Sequence, residues 1–311
     1  MAFEINYTDQ TGTTGFAHKE QLLRIQALAE DNGWVTLRYK TDDPVSHELI
    51  LQGEGLSGAE EIFIGFRTYE NVTADYYNLL AGTFIGYQAA NSFDTQPGAR
   101  LSGVPMHNQL IEYYLSLDAS CIVLCGKVGV GVYESGYVGK MLPYATPGEF
   151  PAPLVNGGML TGAAATRFSD TTHSMGFKGS KANFALRNQA GAWVQPACHP
   201  WGNTLLAGTG ADLNNSSARD TAGTYVLQRV TLTDTSPNVY GCLNRVFQVS
   251  GFNLVADTVL QLGGTYTVDD AGKTTLEIVN EIIGTAGGRA FVVLRDTYRT
   301  AFGDYFALEM L

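Results

Sequence analysis

Ser120 to Leu142 reads SCIVLCGKVGVGVYESGYVGKML. It opens with an almost unbroken apolar run, Cys121 to Cys125, that is too short for a helix of ordinary length and rich in β-branched residues. A strand reads this way when both of its faces are covered, because alternation is lost once neither face meets water. The stretch therefore predicts a central strand followed by a hairpin partner around Glu134 to Gly136.

Working outward, the same character recurs on both sides. GWVTLRYK (Gly33 to Lys40) alternates as a strand with one wet face. HELILQGEG (His47 to Gly55) and EEIFIGFRTYEN (Glu60 to Asn71) read as an antiparallel meander broken by glycine-containing turns. DYYNLLAGTFIGY (Asp75 to Tyr87) fits either a short helix running into a strand or a strand, and NQLIEYYLSLD (Asn108 to Asp118) fits a strand. Ser169 to Gly223 reads as loop-like, with apolar residues too scattered to set a period, and a stretch of that length is expected to fold into its own hairpins or to pack on a neighbouring chain. The last third returns to strands: TYVLQRVTLTD, VYGCLNRVFQVSG, TVLQLGGTYTVDDAGKTTLEIV and GRAFVVLRDTY, with DDAG (Asp269 to Gly272) as a hairpin tip. One helix stands out. From His18 to Glu30 apolar residues recur at helical spacing, and Gly33 sits where a left-handed C-terminal cap belongs. The expected fold class is mainly β, with antiparallel β-sandwich-like domains and one N-terminal α-helix. Its expected organisation is an N-terminal helix plus meander over 1–100, a central β region over 101–222 and a C-terminal β region over 223–311, packed as one or two β domains.

Bulk composition limits what such a fold can do. Of the 311 residues, 45% are hydrophobic but only 16% are charged, where about 25% is usual. A chain so poor in charge has too little ionic surface to be wetted on every side, and interface cores are the surfaces from which charge is depleted. Copies of the chain itself are the first expected partner. The net charge of −11, from 30 acidic against 19 basic residues, together with the lack of any Lys or Arg block, argues against a nucleic-acid partner. It offers no footing on an anionic membrane, no run is long and apolar enough to span a bilayer, and the N-terminus shows no secretory signal. Four cysteines without a framework spacing fit synthesis in a reducing cytoplasm.

Cys121, Cys125, Cys198, His199 and Cys242 are the residue types of a zinc set, yet a C-x3-C pair on a strand separates its thiols by about 13 Å. Buried cysteines are the expected outcome. No signature frames a Cys121 or Cys198 nucleophile with His173 or His199. The glycines of GKVGVGVYESG lack the lysine placement and following helix of a phosphate loop. Asp212, Asn214 and Asn215 lack calcium-loop spacing. Glu60 and Glu61, read as neighbours in a strand, would point to opposite faces and not form a hydrolase pair. The 16 tyrosines are ordinary strand residues first and a sugar platform second. The expectation is no catalytic residue, no metal site and no cofactor.

One segment breaks the β pattern. LPYATPGEFPAPL (Leu142 to Leu154) packs four prolines with Tyr144 and Phe150, so it is stiff, extended and short of backbone donors. Two roles fit: a cover for the end of a sandwich within its own subunit, or an arm docking on a neighbour. Charge depletion favours docking, which makes Pro143, Tyr144, Pro147, Phe150, Pro151 and Pro153 the interface candidates.

VYESGYVGKMLPYATPGEFPAPLVNGG resembles a segment of tailed-bacteriophage virion structural proteins. So do VYGCLNRVFQVSGFN and RAFVVLRDTYRTAFGDYFALEML near the C-terminus, and GWVTLRYKTDD, LILQGEGLSGAEEIFIGFRTYENVTADYYNLLAGTFIGY and FDTQPG in the first third. The resemblance implies a non-enzymatic virion component of the tail, neck or baseplate type, made in the bacterial host cytoplasm and docked to copies of itself and to other virion proteins. A receptor- or glycan-binding adhesin or a capsid decoration protein on the virion surface is the alternative, and a cell-wall hydrolase ranks third.

Overall fold

The computed structural model of the protein describes residues 2–144, 153–170, 173, 175–178, 183–199, 226–233, 239–250, 254–262, 272–284, 289–300 and 303–310. The chain is mainly β and its strands form three antiparallel sheets. The central sheet runs β1 (Ala2–Thr8), β7 (Ile111–Leu117), β8 (Cys121–Val128), β9 (Val132–Lys140), β11 (Leu154–Gly157), β13 (Phe184–Arg187) and β14 (Trp193–Val194). A first outer sheet runs β12 (Leu160–Thr161), β6 (Arg100–Met106), β5 (Tyr76–Phe84), β4 (Ile62–Asn71), β3 (Glu48–Gly53) and β2 (Val35–Lys40). The second outer sheet runs β15 (Ala197–His199), β16 (Val226–Thr233), β17 (Val239–Ser250), β20 (Tyr305–Met310), β19 (Arg289–Arg295) and β18 (Val259–Leu262), with the short β10 (Leu142–Pro143) also paired to β17.

The unbroken apolar run of β8 is explained by its place between two layers. Ile122, Leu124 and Val128 share one core with Leu49, Ile64, Phe66, Leu79 and Met106 of the first outer sheet. Cys121, Val123 and Cys125 point the other way, into a core with Leu243, Val246, Val292, Phe306 and Leu308 of the second. Side chains alternate along a strand, so a strand buried on both faces must be apolar at every position. Truncating Leu124 to alanine in such a site costs about 2–5 kcal/mol.

The helix α1 (Ala17–Glu30) packs Leu22, Ile25 and Ala29 into the first of these cores. Its C-terminus closes as the sequence predicts: Gly33 adopts φ +86, and the Trp34 N–H reaches back to the Ala29 carbonyl at 3.0 Å. Asp75 to Tyr87, ambiguous in sequence, contains the strand β5. Several elements were not anticipated, among them β6, β11 and the strands β13, β14 and β15, which lie within the stretch read as loop-like. Ala2–Thr8 forms β1 at the edge of the central sheet. TLEIVNEIIG, read as the end of a strand, forms a second helix, α2 (Thr275–Gly284), that buries Val279 and Ile282. A capping box starts it: the Thr274 N–H donates to Glu277 Oε2 at 2.7 Å and the Glu277 N–H to Thr274 Oγ1 at 3.3 Å. The DDAG tip falls almost wholly outside the described residues.

Candidate interaction surfaces and buried polar clusters

The proline-rich segment is the loop of a hairpin. β9 and β11 pair up to Lys140 opposite Leu154, and the Met141 N–H donates to the Pro153 carbonyl at 3.0 Å. From that base the chain crosses to the second outer sheet, where Leu142 and Pro143 pair with Cys242 and Gly241. A Cβ at Gly241 would run into the Leu142 carbonyl oxygen, so glycine is what lets the arm lie so close. Pro143 is half-buried there and Pro153 is buried at the hairpin base. Tyr144 is 58% exposed, with its hydroxyl 3.1 Å from Thr231 Oγ1. Pro147, Phe150 and Pro151 lie outside the described residues.

A second surface was not foreseen. Seven of the twelve large apolar side chains that stand exposed among the described residues sit at one end of the sandwich: Tyr7, Val45, Val72, Leu110, Val130, Val255 and Tyr298. Pairing places them together. Thr8 lies opposite Ile111 and Glu112 opposite Lys127, which brings the tips of β1, β7 and β8 into line. Thr297 bridges Tyr133 and Asp257 bonds Lys127, which adds the turns carrying Tyr298 and Val255. The β4–β5 turn with Val72 and the loop before β3 with Val45 lie at the corresponding end of the first outer sheet, where Met106, opposite Tyr77, leads into β7. Gly129 and Gly131, considered as phosphate-loop glycines, instead shape the β8–β9 turn with positive φ and present a fully exposed Val130 between them. Single exposed apolar residues mean little, but seven on the turns of one end concentrate apolar surface there.

A polar cluster lies at the heart of this end. Asp257, itself at φ +67, accepts hydrogen bonds from Tyr114 (2.7 Å), Lys127 (2.7 Å) and Tyr133 (2.9 Å). Glu112 holds Lys127 from the other side at 2.8 Å. Burial and then the Asp257 charge push both phenols well above the usual tyrosine range. Burial alone would pull the Lys127 ammonium down, but the two carboxylates outweigh it and hold it above its usual value. Sequence reading missed this site because its members are far apart in the chain. The visible signal was a lone valine between two glycines at a hairpin tip.

The groups considered for catalysis or metal binding are spread through the interior. All four cysteines are free and buried; burial pushes the Cys121, Cys125 and Cys198 thiols up. His199 bonds Thr233 at 2.9 Å. Among the described residues no group of three or more His, Cys, Asp or Glu side chains could hold a metal ion. His173 lies 3.3 Å from Glu134, a carboxyl with no exposure that burial pushes up to about 8. Glu60 precedes the strand β4 and is ion-paired with Lys140. Asp212, Asn214 and Asn215 lie outside the described residues.

Set against known proteins, the chain matches no family model and no curated relative.

Proposed function

We propose that this protein is a non-enzymatic structural component of a tailed bacteriophage particle, associated with the tail, neck or baseplate, that works by docking onto copies of itself and onto other virion proteins. The observation that carries the reading is the gathering of exposed apolar side chains on the turns at one end of a charge-poor β-sandwich. Such a surface gains free energy when a neighbour covers it. The proline-rich arm supports the same reading, because Tyr144 projects from a base already fixed on β17 and loses little freedom when it docks.

An adhesin is the second reading, favoured by one feature. Tyr7 and Tyr298 are exposed at the same end as the Asp257 cluster, a pairing of aromatic faces with polar groups that suits a sugar. The virion assignment is tested by mass spectrometry of purified particles from the phage that encodes the chain. Many copies per particle are expected; a chain found only in infected cells and never in particles would end the proposal.

A further inference from the structure

One lysine amine stands between two carboxyls of which one is wholly buried. Lys178 closes a short 3-10 turn (Gly176–Lys178), and its Nζ contacts Asp304 Oδ1 and lies 3.0 Å from Asp296 Oδ2. The two carboxyls are cross-strand neighbours at the β19–β20 connection, since the Asp296 N–H donates to the Asp304 carbonyl at 2.8 Å. Asp296 is fixed from behind, its Oδ1 receiving the Met175 N–H at 2.9 Å and Arg299 Nη1 at 3.1 Å. Its side chain has no exposure, that of Asp304 has 9% and that of Lys178 has 23%. Phe177, next to Lys178 in the chain, packs edge to face on Phe306 with ring centroids 5.4 Å apart.

Among the described residues the other lysines lack this combination. Lys19 and Lys140 each meet a single carboxylate. Lys127 meets two, but both are only half-buried, at 18% and 29% exposure. Among the described residues, only at Lys178 does an amine touch one carboxyl while a second, wholly buried and oriented by its own donors, stands within reach of the same nitrogen.

We infer that Lys178 and Asp304 condense into an intramolecular isopeptide bond, with Asp296 as the base that makes the step possible. The Lys178 ammonium first passes one proton to Asp304, giving a neutral amine beside a neutral acid. The amine then attacks Asp304 Cγ, Asp296 takes a proton from the attacking nitrogen, and the same proton goes to the departing hydroxyl. One C–N bond forms, one C–O bond breaks, one water leaves and Asp296 is regenerated, so no oxidant or other reactant is required. Burial of the two carboxyls favours the product, because a neutral amide replaces two charges that are costly to withdraw from water. The bond would join residues 126 apart in sequence, tying the segment before β13 to the start of β20 and closing the second outer sheet against extraction under load.

Intact-mass spectrometry of the denatured, full-length chain tests this directly. The wild type is expected to be lighter than its sequence by one water, and proteolysis should yield a branched peptide carrying Lys178 and Asp304. Lys178→Arg and Asp304→Ala should have their full sequence masses, Asp296→Asn should keep its full mass despite retaining both reacting groups, and Lys127→Arg should still lose water. A wild type of full mass after prolonged incubation at neutral pH would reduce the site to an ion pair and overturn the inference, and no variant need fold for that result to count. A deficit that persists in Lys178→Arg would place the loss elsewhere and overturn it equally. A deficit that persists in Asp296→Asn would remove Asp296 from the step.

Discussion

Lys19 and Lys127 lie at the same end of the sandwich, each held by carboxylates, in opposite surroundings. Lys19 is sealed under the first turn of α1, where Glu70 takes its Nζ at 2.9 Å and His18 Nε2 at 2.7 Å, with side-chain exposures of no more than 5%. Lys127 stands at the tip of β8, where its partners are only half-buried, at 18% and 29% exposure. The same chemical pair therefore does two jobs. The sealed cluster pins a helix to a sheet and has no surface to offer. The half-buried one lies at the end of the molecule where exposed apolar residues stand on the turns.

Breaking the sealed cluster should have the largest effect. Glu70→Ala leaves a buried ammonium without its counter-charge, which costs about 3–5 kcal/mol, read as a lowered urea midpoint. If stability barely changes, Lys19 is reaching water and the contrast fails. Acid should find the same cluster. Burial holds the titration of His18 and His47 below the usual 6.5, while Lys19 and Glu70 face both rings and Asp43 faces His47. Below about pH 6.5 the unfolded chain binds protons that the folded one resists, so stability falls as pH drops through the histidine range. Glu70→Gln removes the carboxylate that offsets this, and should steepen the fall. Hydrogen exchange in α1 is the readout, and amides of α1 that stay protected at pH 5 while the rest of the chain opens would contradict the cluster's role.

Opening the exposed cluster should cost far less. Asp257→Asn leaves Lys127 with Glu112, and solvent screens what is lost, so about 0.5–1 kcal/mol is expected from chemical denaturation. A loss as large as that of Glu70→Ala would mean that the tip cluster is a fold determinant and not a surface feature. Val130→Asp should be smaller again for stability, within about 0.5 kcal/mol, because the side chain touches nothing in its own subunit.

The layers were legible where burial writes itself into the sequence. The CIVLC run announced a strand covered on both sides, and the 3.6-residue period with Gly33 announced α1. The second helix was also written, in Thr274 and Glu277 at capping-box spacing, but the β-branched Thr, Ile and Val residues around it pull toward strand and hid the cap. The polar clusters were not legible at all. Asp257 bonds a lysine 130 residues away, and Arg245 is buried at φ +67 where the β16–β17 register breaks, reaching Ser116 Oγ at 2.6 Å across to the central sheet. Contacts of that range depend on how layers stack, which no local pattern encodes. Of the proline-rich segment, sequence conveyed its stiffness, while its seat on β17 depended on Gly241 in a strand nearly a hundred residues on.

Sedimentation equilibrium of the wild type beside Val130→Asp and Leu110→Asp is the most direct test of assembly through the apolar end. The account predicts a wild-type mass that is a multiple of the subunit at micromolar concentration, and variants that remain folded but fall to the subunit mass. A wild type that sediments as a single subunit throughout, or variants that assemble as well as it does, would contradict it.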